Sequence, residues 1–210
     1  MIHFFKQLKH HLLHQNYFYF GNHQLPYFHH PYNDTARNER AIEIPIAKHF
    51  YNQYNPKEIL EVGNVLKHYF SLKHQVVDKY EHAPGVINKD IIAFKPKKKF
   101  GLILAVSTLE HVGWDEYPRD PEKVLTALNH LFTLLKKDGQ LVFTVPLGYN
   151  HDLDTLLRAS KIGLTQQFYF KRLTKSNRWQ QQNTDILQGA KYNYPFPCAN
   201  ELMVGMIRKS

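Results

Sequence analysis

Cysteine is nearly absent. Cys198 stands alone among 210 residues, so no internal disulfide can form, and such a chain suits a reducing compartment. Long apolar runs are missing as well: no stretch reaches the roughly 20 residues needed to cross a bilayer. The opening residues, Met1-Ile2-His3-Phe4-Phe5-Lys6, lack the extended apolar core and small-residue cleavage site of a signal peptide. The expectation is a cytoplasmic protein without a membrane span. Acidic residues are outnumbered, 18 against 27 Lys and Arg, for a net charge of +9. That excess fits an anionic partner, and it fits equally a spread of lysines serving solubility. The tightest basic run, Lys95-Pro96-Lys97-Lys98-Lys99, reads as a solvated loop. No aromatic RNA-binding motif or helix-turn-helix pattern supports a nucleic-acid partner. The 14 histidines show no zinc-ligand spacing with cysteine, and no metal is indicated.

What is present is ordinary globular material, 43% hydrophobic and 21% charged, enough for one domain with a substantial core. Residues 1–34 read as an N-terminal aromatic and helical cap. Phe4, Phe5, Leu8, Leu12 and Leu13 recur at helical spacing, and Tyr17-Phe18-Tyr19-Phe20-Gly21 reads as a short strand and turn. Residues 35–210 read as an α/β domain. A helical pattern from Thr35 contains Pro45, expected to kink it or begin a second helix, and Pro56 closes it.

Strands are expected at Glu58–Val62, Gln75–Asp78, Gly85–Asp90, Phe100–Ser107 and Gln140–Val145. The run at Phe100 is apolar on both faces, as a central parallel strand should be. Asp120-Pro121-Glu122 opens a helix with its apolar stripe on Val124, Leu125, Leu128, Leu131, Phe132 and Leu135. Lys136, Lys137 and Gly139 suit its end. Asp152–Ser160 reads as a further helix. Gln167–Leu173 and Leu202–Arg208 read as a late strand pair around a polar, aromatic insertion that could serve as a lid.

The organising stretch is Lys57–Tyr69, where Ile59-Leu60-Glu61-Val62-Gly63-Asn64 should give strand, tight turn and helix. In a parallel sheet that order builds a crevice at the carboxyl end of the strand, where helix N–H groups and a bare glycine approach a ligand. Asp78 follows Glu61 by 17 residues at the end of the next strand, near the offset of about 20 at which dinucleotide folds place a ribose-binding acid. A solvated turn acid is the other reading of Asp78. Glu61, Gly63, Asp78, Asp90, Ser107, Thr108 and Tyr149 should all fall at one sheet edge.

The ordered stretches ILEVGN, VVDKYE, INKDI, FGLILAVSTLEHVG and LLKKDGQLVFTVPLGYN resemble the class I S-adenosylmethionine-dependent methyltransferases. The bacterial branch associated with sugar and polysaccharide biosynthesis is the most similar. The resemblance covers about Asn38–Asn150. It implies a Rossmann-like open twisted sheet, mostly parallel, with helices on both faces and a C-terminal antiparallel hairpin. It also implies S-adenosyl-L-methionine as cofactor and methyl transfer, at oxygen, to a small-molecule or glycan-precursor acceptor. On this resemblance Glu61, Gly63 and Asn64 meet the methionine part, Asp78 and Lys79 the ribose, Asp90 and Ile91 the adenine. Ser107, Thr108 and Leu109 flank cofactor and substrate.

The chain departs from the family where further glycines usually stand, with Val65 and Lys67 instead. His111, just past the central strand, is the candidate general base, with Glu110 as alternative base or orienting partner. A hydrogen-bonded structural histidine and a first-turn acid are the competing readings. Trp114, Tyr149 and Asn150 could line an acceptor pocket, or simply pack. Two other functions fit less of the chain. A nicotinamide oxidoreductase needs glycine spacing that EVGNVL lacks. A non-catalytic basic binding module on a degenerate methyltransferase fold would accommodate Val65 and Lys67.

Overall fold

The computed structural model describes residues 16–210, so the helix expected on Phe4, Phe5, Leu8, Leu12 and Leu13 lies outside the described residues. In chain order the elements are β1 (Tyr17–Phe20), β2 (His23–Pro26), α1 (Arg40–Tyr51), β3 (Ile59–Val62), β4 (Gln75–Asp78), β5 (Val86–Asn88) and β6 (Phe100–Val106). They continue with α2 (Lys123–Leu134), β7 (Leu135–Pro146), α3 (His151–Arg158), β8 (Gln166–Arg172), β9 (Trp179–Gln182) and β10 (Glu201–Arg208). Among the described residues no helix is long and apolar enough to cross a membrane.

β1 and β2 form a separate hairpin. The other strands make one sheet in the order β5-β4-β3-β6-β7-β10-β8-β9. β5, β4, β3, β6 and β7 run parallel. β10 inserts antiparallel between β7 and β8, and β9 adds antiparallel outside β8. The fold is thus a Rossmann-like, mostly parallel sheet with antiparallel strands at its C-terminal end. Strand order reverses between β3 and β6, and it is outside the carboxyl ends at such a reversal that ligands bind in open α/β sheets.

The central strand β6 explains the two-layer core. All seven of its residues are buried. Leu102, Leu104 and Val106 enter one cluster with Phe18, Phe20, Ile42, Ile46 and Phe50 from the hairpin and α1. Ile103 and Ala105 enter the other, with Val124, Leu128 and Leu131 of α2 and Leu153 and Leu157 of α3. This is the alternation a pleated strand imposes.

No second helix begins at Pro45. α1 runs through it. Pro45 has no N–H to give to Ala41 O, and the N–H of Phe28 fills that vacancy at 2.9 Å, tying the segment after the hairpin to the helix.

Four boundaries differ from the sequence reading. The helix expected after β3 is a single 3-10 turn at Leu66–His68. α2 begins at Lys123, with Asp120 instead accepting from the N–H of Glu122 at 3.0 Å. α2 ends at Leu134, and Lys136, Lys137 and Gly139 belong to β7. Its last carbonyls are met by the ammonium of Lys209, which donates to Phe132 O and Leu135 O at 3.4 and 3.1 Å. Finally, the late insertion contains strand β9. Trp179 in it is buried, Arg172 lies in β8, and neither belongs to a lid.

Candidate functional site

A cavity of about 420 Å³ opens at the strand reversal. Val62, Gly63, Asn64 and Val65 line it after β3, Asp78 and Lys79 after β4, Asp90 and Ile91 after β5, and Ser107, Thr108 and His111 after β6. Its size falls within the range of about 300–1,000 Å³ typical of small-molecule sites.

The floor is a close approach of two strand ends. Gly63 sits at φ +81°, and a Cβ there would overlap Thr108, lying 2.8 Å from Cγ2. Only glycine accepts both the left-handed backbone and the contact. Ser107 is also left-handed, at φ +39°, a strain of the kind found where a backbone is held for function. It is held by Thr144 Oγ1, which accepts from its N–H at 3.0 Å, and by Glu43 Oε1, which accepts from its hydroxyl at 2.6 Å.

Asp78 is pre-organised. Its Oδ1 accepts from the N–H groups of Tyr80 and Glu81, both at 2.8 Å, and its Oδ2 from Asn64 N–H at 2.9 Å. Partial burial pushes its pKa up, but these donors outweigh it and hold the carboxyl below its ordinary value. Oδ2 accepts no second hydrogen bond from the described residues, and Asn64 Oδ1 is buried without a partner.

Across the rim lies a cluster of two cations and two anions. Lys79 Nζ reaches Asp90 and Glu116 at 3.1 and 3.0 Å, and Lys123 Nζ pairs with the same two, at 2.8 Å from Asp90. Burial works against the charged form of Asp90. The Lys123 ammonium, the Ile92 N–H and Lys79 nevertheless bring it down to about 2.

On the far wall, His111 Nδ1 lies 2.5 Å from Asp115 Oδ2, the oxygen that also accepts from the Tyr149 hydroxyl at 2.7 Å. Asp115 is held below its ordinary range because those hydrogen bonds exceed the upward effect of partial burial. Tyr149 is pushed up by burial and by donating to Asp115, so it stays a phenol.

Gly63, Asn64, Asp78, Lys79, Asp90, Ile91, Ser107, Thr108 and His111 therefore come together on one cavity. Other expected site residues do not. Glu61 is fully buried and turned under the 63–66 turn. There its Oε1 accepts from Val65 N–H and Leu66 N–H at 3.0 and 2.6 Å, and its Oε2 lies 2.5 Å from His74 Nε2. It shapes the turn from beneath instead of facing a ligand.

Leu109 is core. Asn150 caps α3, accepting from Asp152 and Leu153 N–H at 3.0 Å each and donating to Glu110 O at 2.8 Å, so its amide is spent. Glu110 is sealed, 1% exposed, with Oε2 unpartnered. Burial pushes its pKa well above the ordinary value, and Glu43 and Glu39 add to the rise. Its Oε1 stands 3.6 Å from His111 Nε2, which is too long for a hydrogen bond. The neutral acid that burial favours makes no ion pair there.

Trp114 lies off the cavity wall. The Arg119 guanidinium stacks on its ring at 3.5 Å, and Arg119 is tied to Asp152 at 2.5 Å. Tyr149 touches the site only through Asp115 and through an edge contact with His111 at 5.1 Å.

The sequence reading missed Asp115 and Glu116. Each belongs to the loop after β6, and the His111–Asp115 spacing of four was the available signal.

No family model and no curated protein sequence matches the chain. Among solved structures, the N-methyltransferase NodS of Bradyrhizobium japonicum, in complex with S-adenosylhomocysteine, is similar at 14% identity. That match covers 72% of this chain and 76% of that one, with a TM-score of 0.44. A methyltransferase of Thermotoga maritima, named as a possible histamine N-methyltransferase, is similar at 16% identity over 80% and 89%, TM-score 0.48. The plantazolicin methyltransferase BpumL is similar at 14% over 80% and 83%, TM-score 0.45. Identities and scores this low do not define an activity, so the function has to be read from the cavity.

Proposed function

We propose that the chain is a methyltransferase that uses S-adenosyl-L-methionine on a small-molecule or glycan-precursor acceptor. The observation that carries this is Asp78: a carboxylate fixed by three backbone N–H groups, its Oδ2 taking no second hydrogen bond from the described residues, at the end of the strand next to the reversal. A carboxylate in that place suits a ribose diol. The unpartnered Asn64 Oδ1 offers a second acceptor, and Val77, Ile91 and Val112 offer apolar walls for a planar base. The bound cofactor would supply an electrophilic methyl group.

The chain's part is orientation, exclusion of water and handling of the acceptor's proton. Asp115 accepts from His111 Nδ1–H, which leaves the Nε2 lone pair available as a base. Tyr149, donating to the same oxygen, keeps Asp115 in place. Asp115 is thus a positioning residue for His111. Such a base suits an oxygen acceptor, since a hydroxyl must lose its proton during transfer.

S-adenosylhomocysteine should raise the melting temperature of the wild type by mass action. Asp78→Ala should weaken its binding by about 100-fold, consistent with loss of a charged hydrogen-bond acceptor and of the turn it organises. An unchanged melting temperature at saturating ligand, with no heat of binding, would count against the assignment. That result would favour a cofactor-free binding module, which the paired charges at Asp90 also accommodate.

Asp115→Asn presents an amide N–H to Nδ1 and should move the ring proton to Nε2. The ¹⁵N shifts of His111 report this directly; the wild-type tautomer persisting in the variant would remove Asp115 from the positioning role.

A further inference from the structure

We propose that the sheet edge opposite the cavity is a docking face for an anionic phospholipid surface. Lysines and one arginine from four separate stretches of the chain gather there. This docking role goes beyond methyl transfer and does not depend on it.

The cavity lies at the carboxyl ends of the parallel strands. The amino ends of β3, β6 and β7 form the other edge, and the antiparallel β10 finishes there. Lys57 stands just before β3, and Lys97, Lys98 and Lys99 stand just before β6. Lys136 and Lys137 are among the first residues of β7, and Arg208 and Lys209 come at and just past the end of β10. Hydrogen bonds fix their juxtaposition. Lys98 Nζ donates to Lys57 O at 3.0 Å, and Lys99 Nζ to Thr133 O at 2.7 Å, at the end of α2. Lys209 N–H donates to Gly139 O at 2.9 Å, and Lys209 O accepts from Asp138 N–H at 2.8 Å. The lysine-rich loop before β6 is therefore one part of a wider basic face.

Two carboxylates, Glu58 and Asp138, stand among these eight cations. Glu58 pairs with Lys136. The partners of Lys98, Lys99 and Lys209 are neutral carbonyls, which leave the charge in place. Lys97, Lys137 and Arg208 are exposed and pair with no acid among the described residues. At the cavity edge the balance is reversed, with Asp78, Asp90, Asp115 and Glu116 against Lys79 and Lys89. The net charge of +9 is thus unevenly placed. Lysines that serve solubility are interspersed with acids. One-sided charge costs self-repulsion and creates a field that draws in a polyanion.

The composition of the face favours lipid. Seven of the eight cations are lysines, point charges on flexible stems, with a single guanidinium able to grip a phosphate bidentately. Among the described residues here, Phe132 is the one exposed ring, at 38%, and the Lys209 ammonium lies over it at 5.3 Å. One ring gives no platform for successive bases. An exposed aromatic among lysines suits a headgroup layer, where each lysine near an anionic surface contributes about fivefold in affinity. Bound through this edge, the protein turns its cavity toward solution.

Flotation with phosphatidylcholine vesicles, plain or carrying about 30% phosphatidylglycerol, tests this at about 0.1 M salt. The wild type should bind the anionic vesicles at least about tenfold more tightly than the plain ones. Raising the salt to about 0.5 M should release it. The combined variant Lys97→Gln, Lys137→Gln, Arg208→Gln should weaken binding by about 100-fold. A companion, Arg37→Gln, Lys175→Gln, Lys191→Gln, removes the same charge from exposed positions before α1, between β8 and β9 and between β9 and β10. It should bind anionic vesicles within about twofold of the wild type. If the first variant fails to fold, the vesicle comparison and the salt series still decide.

Equal binding of plain and anionic vesicles, or binding of neither, overturns the docking face. Equal weakening in the two variants overturns it too, since net charge alone would then account for the attraction. A polyuridine RNA that binds more tightly than anionic vesicles, through the same three residues, would give the edge to nucleic acid and overturn the lipid assignment.

Discussion

Gly63→Ala should lower stability by about 3 kcal/mol, combining a left-handed backbone penalty with an overpacked contact, and should abolish S-adenosylhomocysteine binding. The backbone at φ +81° disfavours any side chain, and the new methyl would drive into Thr108. The neighbours can move only by disturbing Ser107, itself tied to Thr144 and Glu43. Urea unfolding measures the stability loss and calorimetry the binding. Adding Thr108→Ala to the variant should recover the packing part of the loss but not the backbone part, a non-additivity that a double-mutant cycle reads. If Gly63→Ala folds with wild-type stability and binds normally, the close approach of the two strand ends is not what builds the floor.

The second large effect is a pH dependence set by Glu110. A carboxyl raised above its ordinary value of 4.5 in the folded chain keeps a proton that the unfolded chain gives up. Its contribution to stability is fully present below about pH 4.5 and is lost as pH rises through the folded pKa. Glu110→Gln is close in shape to the neutral acid and does not titrate. The variant should therefore match the wild type near pH 4 and become progressively more stable than it at higher pH. Over the interval in which only the unfolded chain is ionised, the gap widens by about 1.4 kcal/mol per pH unit. Glu39, Asp154 and Glu201 are raised as well, so the informative quantity is the difference between the two proteins across pH. Parallel curves would show Glu110 to be ionised in the fold.

The amino-acid sequence by itself determined the architecture's centre. The run Phe100–Val106 is apolar at every position, and only a strand covered on both faces tolerates that. Strand-end acids then marked one edge of the sheet, and Asp78, Asp90 and His111 do line one cavity there. Local pattern suffices for such positions because strand period and strand ends are local properties.

Which way a polar side chain turned at that edge was decided only in three dimensions. β3 is buried on both faces, so strand parity gave Glu61 no outward side. Its direction was set by the unpaired N–H groups of the following turn and by His74, 13 positions away. Asn150 read as a candidate for the acceptor pocket, but the start of α3 claimed it as a cap. Asp115 carried no motif. Glu43 is held by hydroxyls 64 and 101 positions distant, just after β6 and on β7. Partnerships across such separations belong to the folded chain, since a buried polar group takes whichever complement the packing brings within hydrogen-bond reach.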